Sequence, residues 1–271
     1  MNDKIIDILI QAAKAGGKTV LSYYKTDLEI KEKTSKRDLL TKADLESQKI
    51  IVETLTKLMV TNGISEDEIG FICEEDFSKN GKHTFIIDPL DGTSSFVEQS
   101  DSFTISIAYK NENEIIAGVI YFPIKNIVYF AQKDKGAYKI EDEQKIQLQI
   151  TEKKLSDSLL CFNTSTNTET TQKILRRIIN IVPFVYRVRE NPCISFNLMR
   201  MAENHYQIVI NSRAKLWDIA AAKLIIEQAG AIMVNWQGQR FDFDFTDRSI
   251  CYPMITCFPN AAIEIVKHFH E

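Results

Sequence analysis

The stretch at residues 83–96, HTFIIDPLDGTSSF, constrains this chain more than any other. Phe85, Ile86 and Ile87 form an apolar run that reads as a buried strand ending at Asp88. Pro89 is expected to stop that strand, because it has no N–H to give to a ladder. Asp91, Gly92 and Thr93 follow, and Ser94 and Ser95 lead into a helix. Two carboxylates three residues apart on a stiff, proline-containing turn make a site for a hard cation. A Gly-Thr-Ser turn at a helix start points free backbone N–H groups outward, which suits a phosphate. A metal beside a phosphate means metal-assisted phosphoryl chemistry.

The remainder of the composition sets limits. The 271 residues allow one large domain or two modest ones. A formal net charge of −4 argues against general nucleic-acid binding, though not against a phosphate ligand in a local pocket. No apolar run approaches the roughly 20 residues of a membrane span. Lys4 and Lys14 lie in an amphipathic pattern with no signal-peptide core behind them. Cys73, Cys161, Cys193, Cys251 and Cys257 are odd in number, scattered and without CxxC, as expected of reduced thiols in a cytoplasmic protein. The four histidines form no HExxH, and His268 and His270 fall in a C-terminal helix.

Taken in order, residues 3–24 have helical apolar spacing, with Gly16 and Gly17 predicting close packing against a neighbour. The polar stretch 31–38 reads as a loop, either a solvated connection or a cover bringing Lys36 or Arg37 to an anion. Thr41-Lys42-Ala43-Asp44 opens a helix over 42–60, and its Thr-x-x-Asp spacing allows Asp44 to be a capping residue. The strand 70–73 delivers Glu74, Glu75 and Asp76. Alternating segments at 103–110, 115–122, 126–132, 136–140 and 145–150 predict an antiparallel sheet. After residue 150 the pattern becomes alternating: strands at 158–162, 183–188, 207–210, 231–235 and 253–257, and helices at 169–180, 193–203, 217–229 and 260–270. The chain thus divides into an N-terminal α+β unit (1–150) carrying a metal site and a C-terminal α/β unit (151–271) completing the active site. Asp218 stands in the first turn of the last long helix, where the helix dipole favours it in any case. The three alanines after Ile219 let that helix start approach another element closely.

If Glu74, Asp88, Asp91 and Asp218 converge, four carboxylates require divalent cations between them. Mg²⁺ suits oxygen-only ligation, and with no His or Cys among these acids zinc does not.

These blocks together resemble the inositol monophosphatase family of Mg²⁺-dependent, lithium-sensitive phosphatases. LLTKADLESQKII at 39–51 looks like its V-T-x-x-D helix start, and FICEED at 71–76 matches its Glu-Glu block. IIDPLDGTSSF at 86–96 matches its D-P-[IL]-D-G-T signature, and LWDIAAAKLIIEQAG at 216–230 its Trp-Asp helix. The resemblance implies a layered αβαβα sugar-phosphatase fold of the α/β (α+β) class, commonly a homodimer. It implies two or three Mg²⁺ ions: one held by Glu74, Asp88 and the Leu90 carbonyl, one by Asp88, Asp91 and Asp218, and a weaker third near Glu74. It implies that water on the metals attacks the phosphate, oriented and deprotonated by Thr93 with Asp44 or Glu74. It also implies phosphate contacts from Gly92, Thr93 and Ser94 and a substrate-side position at Asn211, beside Asp91 and Asp218. The implied substrate is a small phosphate ester, with no membrane or general nucleic-acid partner.

The chain departs from the family mainly on the substrate side. Cys73 replaces a glycine, and Gly230-Ala231 replaces a Gly-Gly pair. Where inositol enzymes carry Gly-[Ser/Thr]-Ala, residues 191–195 read NPCIS. Seven residues before Asp218, where those enzymes have an acid, this chain has Asn211, followed by Ser212 and Arg213. An inositol-1-phosphate-like substrate leads. A 3′(2′),5′-bisphosphate nucleotide or fructose 1,6-bisphosphate follows, since a cation such as Arg213 favours a second phosphate, and histidinol phosphate is a further alternative. A haloacid-dehalogenase-type phospho-aspartate route needs its two aspartates two residues apart, whereas here the spacing is three with Pro89 between. A non-catalytic, metal-binding or regulatory relative is the reading from another class.

Overall fold

The computed structural model describes residues 4–26, 30–32, 39–164 and 167–270. Helix α1 (Ile5–Tyr23) precedes a short hairpin, β1 (Ile30–Glu32) and β2 (Leu39–Thr41), and helix α2 (Lys42–Thr61). Then come β3 (Ile69–Cys73), β4 (Ser78–Lys79), β5 (His83–Asp91), the single-turn helix α3 (Thr93–Val97) and β6 (Thr104–Asn111). Strands β7 (Glu114–Phe122), β8 (Ile127–Gln132), β9 (Ala137–Glu141) and β10 (Gln144–Leu148) complete the first half. The second half runs β11 (Leu159–Phe162), α4 (Thr168–Ile181), β12 (Arg187–Glu190), α5 (Ile194–Ala202), β13 (Ile208–Ala214) and α6 (Leu216–Gln228). It closes with β14 (Ile232–Asn235), β15 (Tyr252–Cys257) and α7 (Ala262–His270).

Two larger sheets organise these elements. One has eight strands in the order β10-β9-β8-β7-β6-β5-β3-β4, the other five in the order β12-β11-β13-β15-β14. From β5 to β10 every pairing is antiparallel, as the alternation predicts, while β3 and β5 run parallel. Successive residues of a strand face opposite sides. Phe85 and Ile87 accordingly enter one core with α1 and α2, and Ile86 enters another with α5 and α6. That second core also takes Val209, Met233 and Met254 from the five-stranded sheet, so α5 and α6 lie between the sheets. A third core sets α4 and α7 on the outer face of the smaller sheet. The layers are therefore αβαβα. Gly16 and Gly17 do mark close packing: a Cβ on Gly16 would stand 2.6 Å from Ile51 of α2, and one on Gly17 2.5 Å from Tyr121 of β7.

Two expectations change. Pro89 does not end its strand, because β5 continues to Asp91 through a bulge in which Pro89 and Leu90 oppose Ile105 alone. Pairing with β3 already stops at Ile87, so no ladder donor is missed at Pro89. The strand expected at 183–188 is displaced: Val182–Phe184 form a 3₁₀ turn with Pro183 inside it, and β12 starts at Arg187. The hairpin β1–β2 and the strand β4 carry no periodic signal, being three and two residues long. The proposed cover residues Lys36 and Arg37 lie outside the described residues. All five cysteines are free. Among the described residues, no helix is long and apolar enough to cross a membrane.

Candidate active site

Parallel pairing of β3 and β5 brings the chain ends after Cys73 and at Asp88 to one edge of the large sheet. The start of α2 meets that of α3 through Asp44 and Thr93, the start of α5 meets Asp91 of β5 through Ser195, and the start of α6 meets β6 through Trp217. Asp44 at the start of α2 forms a capping box with Thr41: its Oδ2 accepts from the Thr41 N–H (2.8 Å) and hydroxyl (2.6 Å). Its Oδ1 accepts from the Thr93 hydroxyl of α3 (3.1 Å), whose oxygen also lies 3.2 Å from the Leu90 carbonyl. The capping reading and a site role therefore share one carboxylate, an oxygen each. The Ser47 hydroxyl donates to the Pro89 carbonyl (3.0 Å) and fixes α2 on the bulge.

Asp91 is held by α5. Its Oδ2 accepts from the Ser195 N–H (2.7 Å) and from the Ser195 hydroxyl, which in turn lies 2.6 Å from the Thr104 hydroxyl. The Cys193 thiol donates to the Asp91 carbonyl (3.3 Å), and burial beside Asp91 keeps it protonated, well above the usual thiol range. Residues 191–195, read from sequence as a substrate segment, thus serve an acid of the site. Removing this support should be measurable: Ser195→Ala is expected to lower unfolding free energy by about 1.5–3 kcal/mol, the worth of a hydrogen bond to a charged group. Denaturant titration checks it, and an unchanged midpoint would show that the backbone N–H suffices. Gly92 sits in the left-handed region at φ +89°, and a Cβ there would stand 2.8 Å from that of Cys193. Only glycine turns the chain from Asp91 into α3.

Asp88 is buried, and its Oδ1 accepts from the Leu90 N–H (3.0 Å). Its carboxyl is pushed well up, by burial first and then by the charges of Glu74, Asp91 and Asp218, and it lies within hydrogen-bonding reach of Glu74. Asp218 is half-buried in the first turn of α6, where its Oδ2 accepts from the Lys215 N–H (2.8 Å). Burial raises its pKa well above the carboxylate range, as do Asp91 and Glu74, with Lys215 opposing. Asp91 is raised too, mainly by burial, with the Ser195 bonds opposing. The start of α6 is pinned to the large sheet, since the Ser106 hydroxyl donates to the Trp217 carbonyl (3.1 Å).

The charges of Glu74, Asp91 and Asp218 thus reach Asp88, and those of Asp91 and Glu74 reach Asp218. Among the described residues, no three acid, His or Cys side chains stand as a ready-made metal cage. The convergence is electrostatic contact between carboxylates, several with an oxygen already tied to the chain. An all-oxygen, mutually repelling donor set of this kind fits a hard divalent cation. Ser94 is half-buried at the start of α3. Asn211 is buried in β13, its Oδ1 accepting from the Arg213 N–H (2.6 Å), and the Arg213 side chain is exposed.

Two basic residues escaped the sequence reading. The Arg248 Nη2 donates to the carbonyls of Cys73 (2.5 Å) and Glu74 (3.1 Å), and its guanidinium lies 5.4 Å from the Trp217 ring centroid. The Lys215 Nζ donates to the Ser249 carbonyl (2.6 Å). Lys215 directly precedes the Trp-Asp helix, a position that invited inspection, whereas nothing local marks Arg248.

A profile described as the inositol monophosphatase family matches residues 1–264. Inositol monophosphatase 1 of Homo sapiens is 26% identical over 241 residues, spanning 88% of this chain and 85% of the human protein. A Pasteurella multocida protein named Nus factor SuhB is 28% identical over 248 residues, spanning 86% of each. A Thermotoga maritima protein named fructose-1,6-bisphosphatase/inositol-1-monophosphatase is 24% identical over 234 residues, again spanning 86% of each. The solved structure of extragenic suppressor protein suhB from Bartonella henselae has the same fold, with a TM-score of 0.86 at 24% identity over 98% of both chains.

Proposed function

This chain belongs to the inositol monophosphatase family, and from that premise we propose that it is a Mg²⁺-dependent phosphomonoesterase acting on a small phosphorylated metabolite. The observation that carries the reading is that β3, β5 and α6 bring Glu74, Asp88, Asp91 and Asp218 together, with Asp88 buried and within hydrogen-bonding reach of Glu74 and with Asp91 and Glu74 bearing on Asp218. Glu74, Asp88, Asp91, Asp218 and the Leu90 carbonyl are the groups that would hold two or three Mg²⁺ ions. When bound, the metal supplies charge neutralisation and Lewis-acid polarisation of the phosphoryl group.

The chain's own residues supply orientation and proton handling. The Thr93 hydroxyl, donating to Asp44, keeps its lone pairs for the attacking water, and the Asp44 carboxylate draws the proton away. Turn residues Gly92, Thr93 and Ser94 contact the phosphate. The N-terminal ends of α5 and α6 add positive partial charge beside the anions. The leading substrate is inositol-1-phosphate-like. Asn211 replaces the acid that would grip ring hydroxyls, so a bisphosphate substrate is the second reading, supported by the Thermotoga relative's printed name.

Phosphate release across inositol 1-phosphate, a 3′,5′-bisphosphate nucleotide, fructose 1,6-bisphosphate and histidinol phosphate tests this, run with Mg²⁺, with chelator, and with lithium added to Mg²⁺. One dominant substrate is expected, hydrolysed only with Mg²⁺ and inhibited by lithium. A folded protein that binds no Mg²⁺ and hydrolyses none of the panel would overturn the phosphatase reading in favour of a non-catalytic role.

A further inference from the structure

We propose that Arg248 and Lys215 are positioning residues that form a brace across the site, fixing where Glu74 stands relative to Asp218. The inference rests on the metal-site reading above. Glu74 follows β3 and Asp218 begins α6, so the two acids arrive from opposite halves of the chain with no shared element. The segment between β14 and β15 joins them. At one end Lys215, whose N–H holds the Asp218 carboxylate, directs its Nζ to the Ser249 carbonyl (2.6 Å) and towards those of Arg248 and Ile250 (3.4 Å each). At the other end Arg248 donates through Nη2 to the carbonyls of Cys73 and Glu74. Its guanidinium also faces the Trp217 ring and approaches the exposed Asp76 carboxylate at 3.8 Å. A continuous path therefore runs from Asp218 through Lys215, the 248–250 backbone and Arg248 to the peptide of Glu74.

Two features distinguish the brace from a surface contact. The Arg248 Nε is buried with no hydrogen-bond partner among the described residues, a cost that an arginine free to turn to water would avoid. Arginine also suits the geometry better than lysine, since its planar guanidinium can hold one Nη2 against two adjacent carbonyls while stacking on an indole. Arg248 brings positive charge to a site built for cations, so its electrostatic effect alone would weaken metal binding. Positioning and charge therefore predict opposite signs.

The test uses Arg248→Met, Arg248→Lys, Lys215→Met and the double methionine variant, in the full chain. Mg²⁺ affinity is read by titration calorimetry, and amide hydrogen exchange over residues 73–76 is read without metal. Arg248→Met is expected to weaken Mg²⁺ binding by about tenfold or more, as loss of a group that orients metal ligands does. Arg248→Lys should fall between it and the wild type. Both methionine variants should speed exchange at 73–76. The double variant should bind little worse than the poorer single one, since both cuts sever the same path. Mg²⁺ affinity unchanged or tighter in Arg248→Met, or losses that multiply in the double variant, would overturn the brace. Should the wild type itself bind no Mg²⁺, the metal reading fails, and faster exchange at 73–76 still decides whether the brace exists. If Arg248→Met does not fold, Arg248→Lys and Lys215→Met carry the same comparison.

Discussion

Asp88→Asn is expected to abolish turnover and to raise the melting temperature of the metal-free protein. Both effects come from one position. Asp88 is buried among Glu74, Asp91 and Asp218, and burial, then their charges, holds its carboxyl well above the usual range. A folded-state pKa raised above the unfolded value means that ionising Asp88 at neutral pH works against folding. An asparagine removes that charge while its Oδ1 can still accept the Leu90 N–H. Each kcal/mol recovered raises the midpoint by about 2–4 °C in a chain near this size. The same substitution removes a carboxylate proposed to hold a metal, where transition-state charge stabilisation amounts to several kcal/mol, so about 10³-fold or more in rate should be lost. Asp91 is the poorer place to seek the thermal gain, because Ser195 holds its carboxylate through two hydrogen bonds that an amide would weaken. Thermal unfolding in chelator and steady-state kinetics in Mg²⁺ check the two halves. Turnover within tenfold of the wild type would sink the ligand assignment, and a lowered metal-free midpoint would sink the repulsion argument.

Asp44→Asn should lower the rate by about 10²–10⁴, the usual worth of a positioned acid–base group. It should also lower stability by about 0.5–2 kcal/mol, the range for a lost helix cap. The structure requires both, because Oδ1 faces the Thr93 hydroxyl and Oδ2 faces the Thr41 N–H and hydroxyl. An amide offers one oxygen, so it either sets its NH₂ against the Thr41 N–H or turns and gives up Thr93. Thr93→Ala separates the roles, since it should reproduce much of the rate loss and leave the cap intact. A drop in melting temperature without a change in kcat would leave Asp44 as a cap alone.

The acids of the candidate site were legible because each follows a local signal. Glu74 ends an apolar strand, Asp88 and Asp91 flank a proline turn, and Asp44 and Asp218 sit at helix starts. Strand boundaries were less secure. Pro89 reads as a stop in one dimension, yet the pairing of β3 with β5 already ends at Ile87, so the missing N–H is harmless and a bulge carries the strand on. The segment at 191–195 reads as a departure on the substrate side, and only the packing of α5 against β5 makes Ser195 the holder of Asp91.

The sequence by itself determined which acids stand at strand ends and helix starts and in what order the layers are laid down, because hydrophobic period, proline, glycine and capping residues act within a few positions of themselves. Only the tertiary structure decided how those residues are held. Arg248 meets Glu74 across 174 positions and Ser195 meets Asp91 across 104, and contacts at such separation depend on how sheets and helices stack. No local pattern encodes that stacking, so the groups that aim the acids become visible only once the chain has closed around them.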